Sequence, residues 1–266
     1  MEDLSRISLL GARGSVPASD AARYGKYGVA TMCVSVQMAG ETILLDGGSG
    51  LLNAGPSEAC TLLLSHPHAD HMLGLPVWPP LFRAGFHVDI WARTRGGLGP
   101  MEQAAALMSP PLWPVGPKDL PAEPAWRLLP EGSVSVGRVL IDHAEGRHPG
   151  GVTVFRLSAG GRSVVYATDC ELDGPTRERL IPLAADCDLL LCDAQYTDEE
   201  YPQRLGWGHS SLSMALAFSA QCRARRTVLI HHAPFRTDEE LDALENEIRR
   251  ARPDCGFGKQ GESFLL

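Results

Sequence analysis

The sequence lacks a cysteine framework: its seven cysteines, Cys33, Cys60, Cys170, Cys187, Cys192, Cys222 and Cys255, are scattered and form no C-x-x-C pair. An odd count spread through 266 residues excludes a disulfide-stapled scaffold, and buried free thiols are expected instead. No apolar run is long enough to span a bilayer. The opening stretch, MEDLSRISLLGARG, has no basic region followed by a long apolar one, so no signal peptide is expected. These absences predict a cytoplasmic protein without a membrane partner. Basic residues are the minority charge, 24 Lys and Arg against 32 Asp and Glu, a formal net charge of -8. Phosphate backbones attract Lys and Arg, so no extended nucleic-acid surface is expected. The densest basic stretch, Arg223 to Arg226, reads as a solvated helix end.

Short apolar runs ended by Gly, Asp or His recur along the chain. Residues 7–10, 32–38, 42–45 and 61–64 read as strands, as do 134–141, 152–157, 163–167, 188–192 and 227–230. Helices are expected near 70–75, 100–108, 176–182, 210–224 and 237–250. The last has Asp238, Glu239 and Glu240 in its first turn and Arg249 and Arg250 at its end, signs that suit the helix dipole. Two sets of strands interleaved with helices predict an α/β layered architecture, two packed sheets with helices outside. Residues 76–130 differ, being rich in Pro, Trp and Gly with weak periodicity, and predict a stiff, folded loop. Trp78, Trp113 and Trp126 within it either line an active-site mouth or plug the core beneath an insertion.

The decisive segment is TLLLSHPHADHMLG, residues 61–74, where His66, His68, Asp70 and His71 follow an apolar run within six residues. Imidazole and carboxylate suit zinc and other borderline divalent ions. Four such groups cannot all be ordinary core residues, because each would need a buried polar partner. His66 and His68 can converge on one ion at a strand end, while Asp70 and His71 can turn toward a second beside it.

This segment is the H-x-H-x-D-H signature of the metallo-β-lactamase superfamily, which the chain resembles along nearly its whole length. GARGSVP (11–17) looks like the opening of the phosphodiesterase-type branch, which includes RNase Z and small cyclic phosphodiesterases. LLDGGSG, HPGG, VVYATDCE, the region ending in GWGHSS, and VLIHHAP resemble further family segments. The resemblance implies a single domain over 1–266 with the four-layer αββα metallo-β-lactamase sandwich and an insertion at about 76–130. It implies two divalent metal ions, zinc first and Mn2+ or Fe2+ as alternatives. His66, His68 and His148 would hold one ion, Asp70, His71 and His231 the other, and Asp169 would bridge them. Asp46, Asp193 and His232 would stand behind the ligands. His143 competes with His148, and His232 with His231, for the ligand positions.

A metal-bound hydroxide would then attack, with Asp70 orienting it and His209 protonating the leaving group. The alternative reading of His209 is a residue that merely caps the following helix. The favoured activity is cleavage of a small or cyclic phosphodiester. An RNA- or tRNA-processing nuclease, a thiolester or lactone hydrolase of the same fold, and a non-catalytic binding protein are the alternatives. A homodimer is left open.

Overall fold

The computed structural model describes residues 4–55 and 59–266. Seven strands form a first sheet in the order β14-β1-β2-β3-β4-β5-β6. They are β1 (Arg6–Gly11), β2 (Cys33–Met38), β3 (Glu41–Leu45), β4 (Ala59–Leu63), β5 (His87–Ala92), β6 (Ala125–Leu128) and the late β14 (Ser263–Leu265). The second sheet runs β13-β12-β11-β10-β9-β8-β7. Its members are β7 (Val134–Val136), β8 (Val139–Gly146), β9 (Val152–Ala159), β10 (Arg162–Ala167), β11 (Leu189–Asp193), β12 (Arg226–Ile230) and β13 (Cys255–Phe257). The helices are α1 (Ala21–Tyr24), α2 (Pro100–Leu107), α3 (Gly174–Ala184), α4 (Leu212–Cys222) and α5 (Asp238–Ala251).

The two-residue period of each strand decides which layer its side chains enter. In β10, Val164 and Tyr166 face the first sheet, whereas Val165 and Ala167 face the helices. In β11 the same split puts Leu189 and Leu191 between the sheets and Leu190 and Cys192 under the helices. Ile7, Leu9, Val34, Val36, Ile43 and Leu45 supply the opposing half of the inter-sheet core. Residues of α3, α4 and α5 cover the outer face of the second sheet. Turns and α2 from the 76–130 region cover the first. The result is the four-layer αββα sandwich, with buried apolar surface on both faces of the central parallel strands.

Several boundaries differ from the sequence reading. The stretch near 70–75 forms no α-helix but short 3-10 turns at Ala69–His71 and Leu75–Val77. The run 134–141 is a tight hairpin of β7 and β8, turning at Gly137. The 76–130 region contributes β5 and β6 to the first sheet in parallel register and also contains α2. Strands β13 and β14, three residues each, were not expected. The described cysteines are all free thiols, and all but the half-buried Cys60 are buried. Among the described residues no helix is long and apolar enough to cross a membrane.

Trp78 resolves the choice between mouth and core plug. It is 3% exposed and packs edge-to-face on Phe86 at 5.5 Å, while Trp113 and Trp126 lie half-buried against the same cluster. The Trp78→Ala variant should therefore lose about 3–5 kcal/mol of stability, read from the denaturant midpoint, because it opens a cavity in a packed layer.

Candidate metal centre

The parallel strands β3, β4, β10, β11 and β12 all end at one edge of the sandwich, and nearly every polar residue singled out in the sequence sits there. Open α/β sheets place their sites at this edge because the strands' C-terminal connections diverge there. Asp46 follows β3, the segment His66 to His71 follows β4, and Asp169 follows β10. Asp193 ends β11, and His231 follows β12. His148 arrives from the β8–β9 turn. Asp46, Asp169 and His231 have φ of 60°, 48° and 61°, left-handed values that non-glycine residues rarely adopt. Each turns its chain sharply off the strand, which aims the side chain into the edge. Such local strain persists where surrounding contacts enforce it, and it gathers at functional sites.

Two groups emerge that could each hold a cation. His66, His68 and His148 form one, and Asp70, His71, Asp169 and His231 form the other, with potential ligand atoms within 4.8 Å of one another in each. Asp169 lies between them. Its Oδ2 stands 3.7 Å from both His66 Nε2 and His148 Nε2, while its Oδ1 is 3.1 Å from His71 Nε2 and from His231 Nε2. Asp70 Oδ2 is 3.1 Å from His231 Nε2 and accepts a hydrogen bond from the Ser15 amide at 2.7 Å. A third grouping joins Asp169, Asp193, His209 and His231.

The donor atoms fit a metal better than they fit one another. His66 Nε2 is buried without a hydrogen-bond partner, and His71 Nε2 makes none of good geometry although Asp169 Oδ1 stands 3.1 Å away. Orphaned polar atoms at that depth are costly unless something else satisfies them. His148 Nδ1 donates to the Gly208 carbonyl at 3.0 Å, so its Nε2 lone pair faces His68 Nδ1 across only 2.9 Å. Two imidazole nitrogens set so close need a shared proton or a cation. Burial holds His66 well below its ordinary pKa, and pushes His148 down to about 4, so both favour the neutral form that ligates metal. For His71, burial also disfavours charge, but the carboxylates of Asp169, Asp70 and Asp46 outweigh it and raise the pKa. Asp169 itself is held low, since the facing imidazoles overcome its burial. A bound cation would replace the proton that His71 otherwise carries.

Behind these groups stand two buried carboxylates. Asp46 Oδ1 accepts from the Ser65 amide at 2.7 Å. Its Oδ2 accepts from Ser65 Oγ at 2.8 Å, from Tyr166 Oη at 2.7 Å and from His71 Nδ1 at 2.7 Å. Ser65 Oγ in turn accepts from His66 Nδ1 at 3.0 Å. The tautomers of both histidines are thereby set with Nε2 toward the centre. Asp193 Oδ1 accepts from the Ser210 amide at 2.9 Å, and its Oδ2 accepts from His209 Nδ1 at 2.9 Å. His209 is nearly buried. Burial opposes its positive charge, but Asp193 first and then Asp169 and Asp70 raise its pKa to about 9. Ser211, not His209, is the N-cap of α4.

The doublets separate cleanly. His143 bonds the Pro130 carbonyl and stays outside the cluster. His232, expected beside the ligands, instead turns its ring away, with Nε2 on the Gly258 carbonyl at 2.7 Å and edges against Tyr27 and Phe257. Adjacent residues point to opposite sides, so only one of the pair can face the edge. The backbone of His232 still matters, because its carbonyl holds the Gly14 amide at 2.9 Å. A Cβ on Gly14 would fall 2.3 Å from the His231 ring, so glycine is required for that approach.

Sequence reading missed Arg13, Ser65 and Tyr166. Arg13 is fully buried, donating from Nε to the Gly28 carbonyl at 2.9 Å and from Nη1 to the carbonyls of Ala233 and Arg236 at 3.1 Å. It grips the loop that follows His231. An arginine between two glycines at the end of an apolar strand was the available signal. Changing Asp46 to Asn should weaken metal binding about 10- to 100-fold, the usual cost of losing an orienting carboxylate. Competition with a chelator of known affinity would measure it, and wild-type affinity would remove Asp46 from this role.

A model described as Beta-lactamase superfamily domain matches residues 49–232. The chain is 25% identical to a Ribonuclease Z of Bradyrhizobium diazoefficiens, over 88% of this chain and 92% of that protein. It is 27% identical to an uncharacterized protein of Mycobacterium leprae over 89% of this chain and 80% of the other. Among solved structures, the metallo-beta-lactamase fold protein YhfI from Bacillus subtilis superposes with a TM-score of 0.75 at 20% identity, covering 99% of this chain and all of that one. Fold, metal-capable site and relatives agree: the chain belongs to the metallo-β-lactamase superfamily and carries a site consistent with its dinuclear metal-dependent hydrolases, with relatives in the phosphodiesterase and Ribonuclease Z branches.

Proposed function

We propose that the chain is a dinuclear metal-dependent phosphodiesterase acting on a small or cyclic phosphodiester. The observation that carries this reading is the pairing of two metal-capable groups through Asp169 with a carboxylate-backed His209 beside them. In this reading His66, His68 and His148 hold one ion, Asp70, His71 and His231 the other, and Asp169 touches both. Zinc suits the imidazole-rich set, and manganese or iron remain compatible with it. Two such ions supply Lewis acidity toward both oxygens of an in-line displacement and a nucleophile at neutral pH.

The chain's own residues do the rest. Asp70, held by the Ser15 amide, would orient the attacking water as well as hold its ion. His209 has Nδ1 committed to Asp193, which leaves Nε2 to give a proton to the departing alkoxide. Its raised pKa, about 9, keeps that proton available near neutral pH. Bound cations would oppose some of this rise, because they are the largest local charges. The relatives named Ribonuclease Z favour a phosphodiester over a thiolester or lactone. They also favour a second reading, cleavage of an RNA precursor. The formal charge of -8 supports the smaller substrate.

Protein reloaded with zinc should bind close to two ions per chain by elemental analysis, and one or fewer would defeat the dinuclear reading. His209→Ala should keep both ions while slowing diester cleavage roughly 10²- to 10⁴-fold. The loss should be greater with alkyl leaving groups than with p-nitrophenolate, which departs with little protonation. Loss of a metal instead would make His209 a ligand, as the third grouping allows. A precursor tRNA cleaved far faster than bis(p-nitrophenyl) phosphate or a cyclic nucleotide would favour the nuclease.

A further inference from the structure

Beside His209 the edge opens into a cleft of about 480 Å³, the size of a small-molecule site. Its walls differ from the metal end. Trp207 and Phe235 line it while 60% and 78% exposed. Two large aromatic side chains sharing the wall of one cleft beside a polar edge suit a ligand with an apolar face. Tyr196 continues the wall inward, its ring edge-on to His209 at 5.7 Å, and the Arg204 guanidinium lies 5.0 Å from the Tyr196 ring centre.

Both exposed rings are carried by anchored segments. Trp207 precedes Gly208, which has φ of 88° and packs so closely under His148 that a Cβ would meet Nδ1 at 2.1 Å. Phe235 sits in the loop whose carbonyls Arg13 grips. The backbone that carries both rings is therefore anchored beside the metal groups. Aromatic side chains with a guanidinium nearby suit a planar, polarisable ring, which gains from stacking on them. A bare sugar could rest only its C–H face on these side chains and would lack the base's π-face.

We propose that this cleft is a subsite for a nucleobase-type ring carried by the substrate, with Trp207 and Phe235 as its specificity-determining residues. The proposal rests on the phosphodiesterase reading only for the phosphate end. Calorimetric titration of the zinc-loaded full chain with AMP and with ribose 5-phosphate isolates the ring, since both ligands carry the same phosphate. AMP should bind about 5- to 100-fold more tightly, the usual range for one base stacked on an aromatic side chain. Trp207→Ala and Phe235→Ala should each shrink that ratio, with zinc content unchanged. Equal affinities, or a ratio that neither substitution moves, would overturn the proposal. If AMP is preferred in this way but no diester is cleaved, the ring site stands and the phosphodiesterase reading falls. If diesters are cleaved but the ring adds nothing, the phosphodiesterase reading stands and the ring site falls.

Discussion

A carboxylate buried at the seam of two sheets is costly unless its oxygens are hydrogen-bonded, and Asp46 accepts four bonds. Its partners come from three places: the turn after β4 through Ser65, the ligand segment through His71, and the second sheet through Tyr166. Satisfying one buried carboxylate therefore ties both sheets and the His66–His71 segment together. Without it, the two sheets would still pack through their apolar faces, since the inter-sheet core does not need it. What would be lost is the direction in which His66 and His71 point.

The second constraint is compensation of charge at the edge. Asp70, Asp169 and Asp193 lie buried among His66, His71, His148, His209 and His231. The carboxylates and imidazoles offset one another only in part, as the orphaned Nε2 atoms of His66 and His71 record. Left-handed backbone at Asp46, Asp169 and His231 adds strain on top of that. A structure that keeps both costs at one edge does so for the cations that would remove most of the electrostatic part. Arg13 and Gly14 belong to the same account, one fixing the loop beyond His231 and the other giving its ring room.

Much of the centre was legible because its chemistry is local in sequence. His66, His68, Asp70 and His71 fall within six residues after an apolar strand, whereas Asp46, Asp169 and Asp193 were picked out by the family resemblance, each following or ending such a strand. The resemblance favoured His231 over His232, but residue pattern alone left both open, because their separation hangs on a left-handed φ at His231 that no periodicity reports. Arg13 and Tyr166 act through contacts with residues far along the chain, at 220 and 120 positions' separation, and such pairs leave no local pattern. Strand β5 alternates as a half-buried strand should, but surrounding prolines masked it. The tryptophans of 76–130 were read as either mouth or core, and packing chose the core. The exposed aromatics beside the site, Trp207 and Phe235, sit in short loops where exposure cannot be read from residue type.

In the proposed centre Asp169 would join two cation sites into one. A crystal structure of the zinc-loaded protein with anomalous scattering recorded at the zinc edge tests it most directly. Two peaks roughly 3.5–4 Å apart are expected, one among His66, His68 and His148 and the other among Asp70, His71 and His231, with an oxygen of Asp169 on each. A single peak, or a second peak held by His209 and Asp193 with Asp70 and His71 left free, would contradict it.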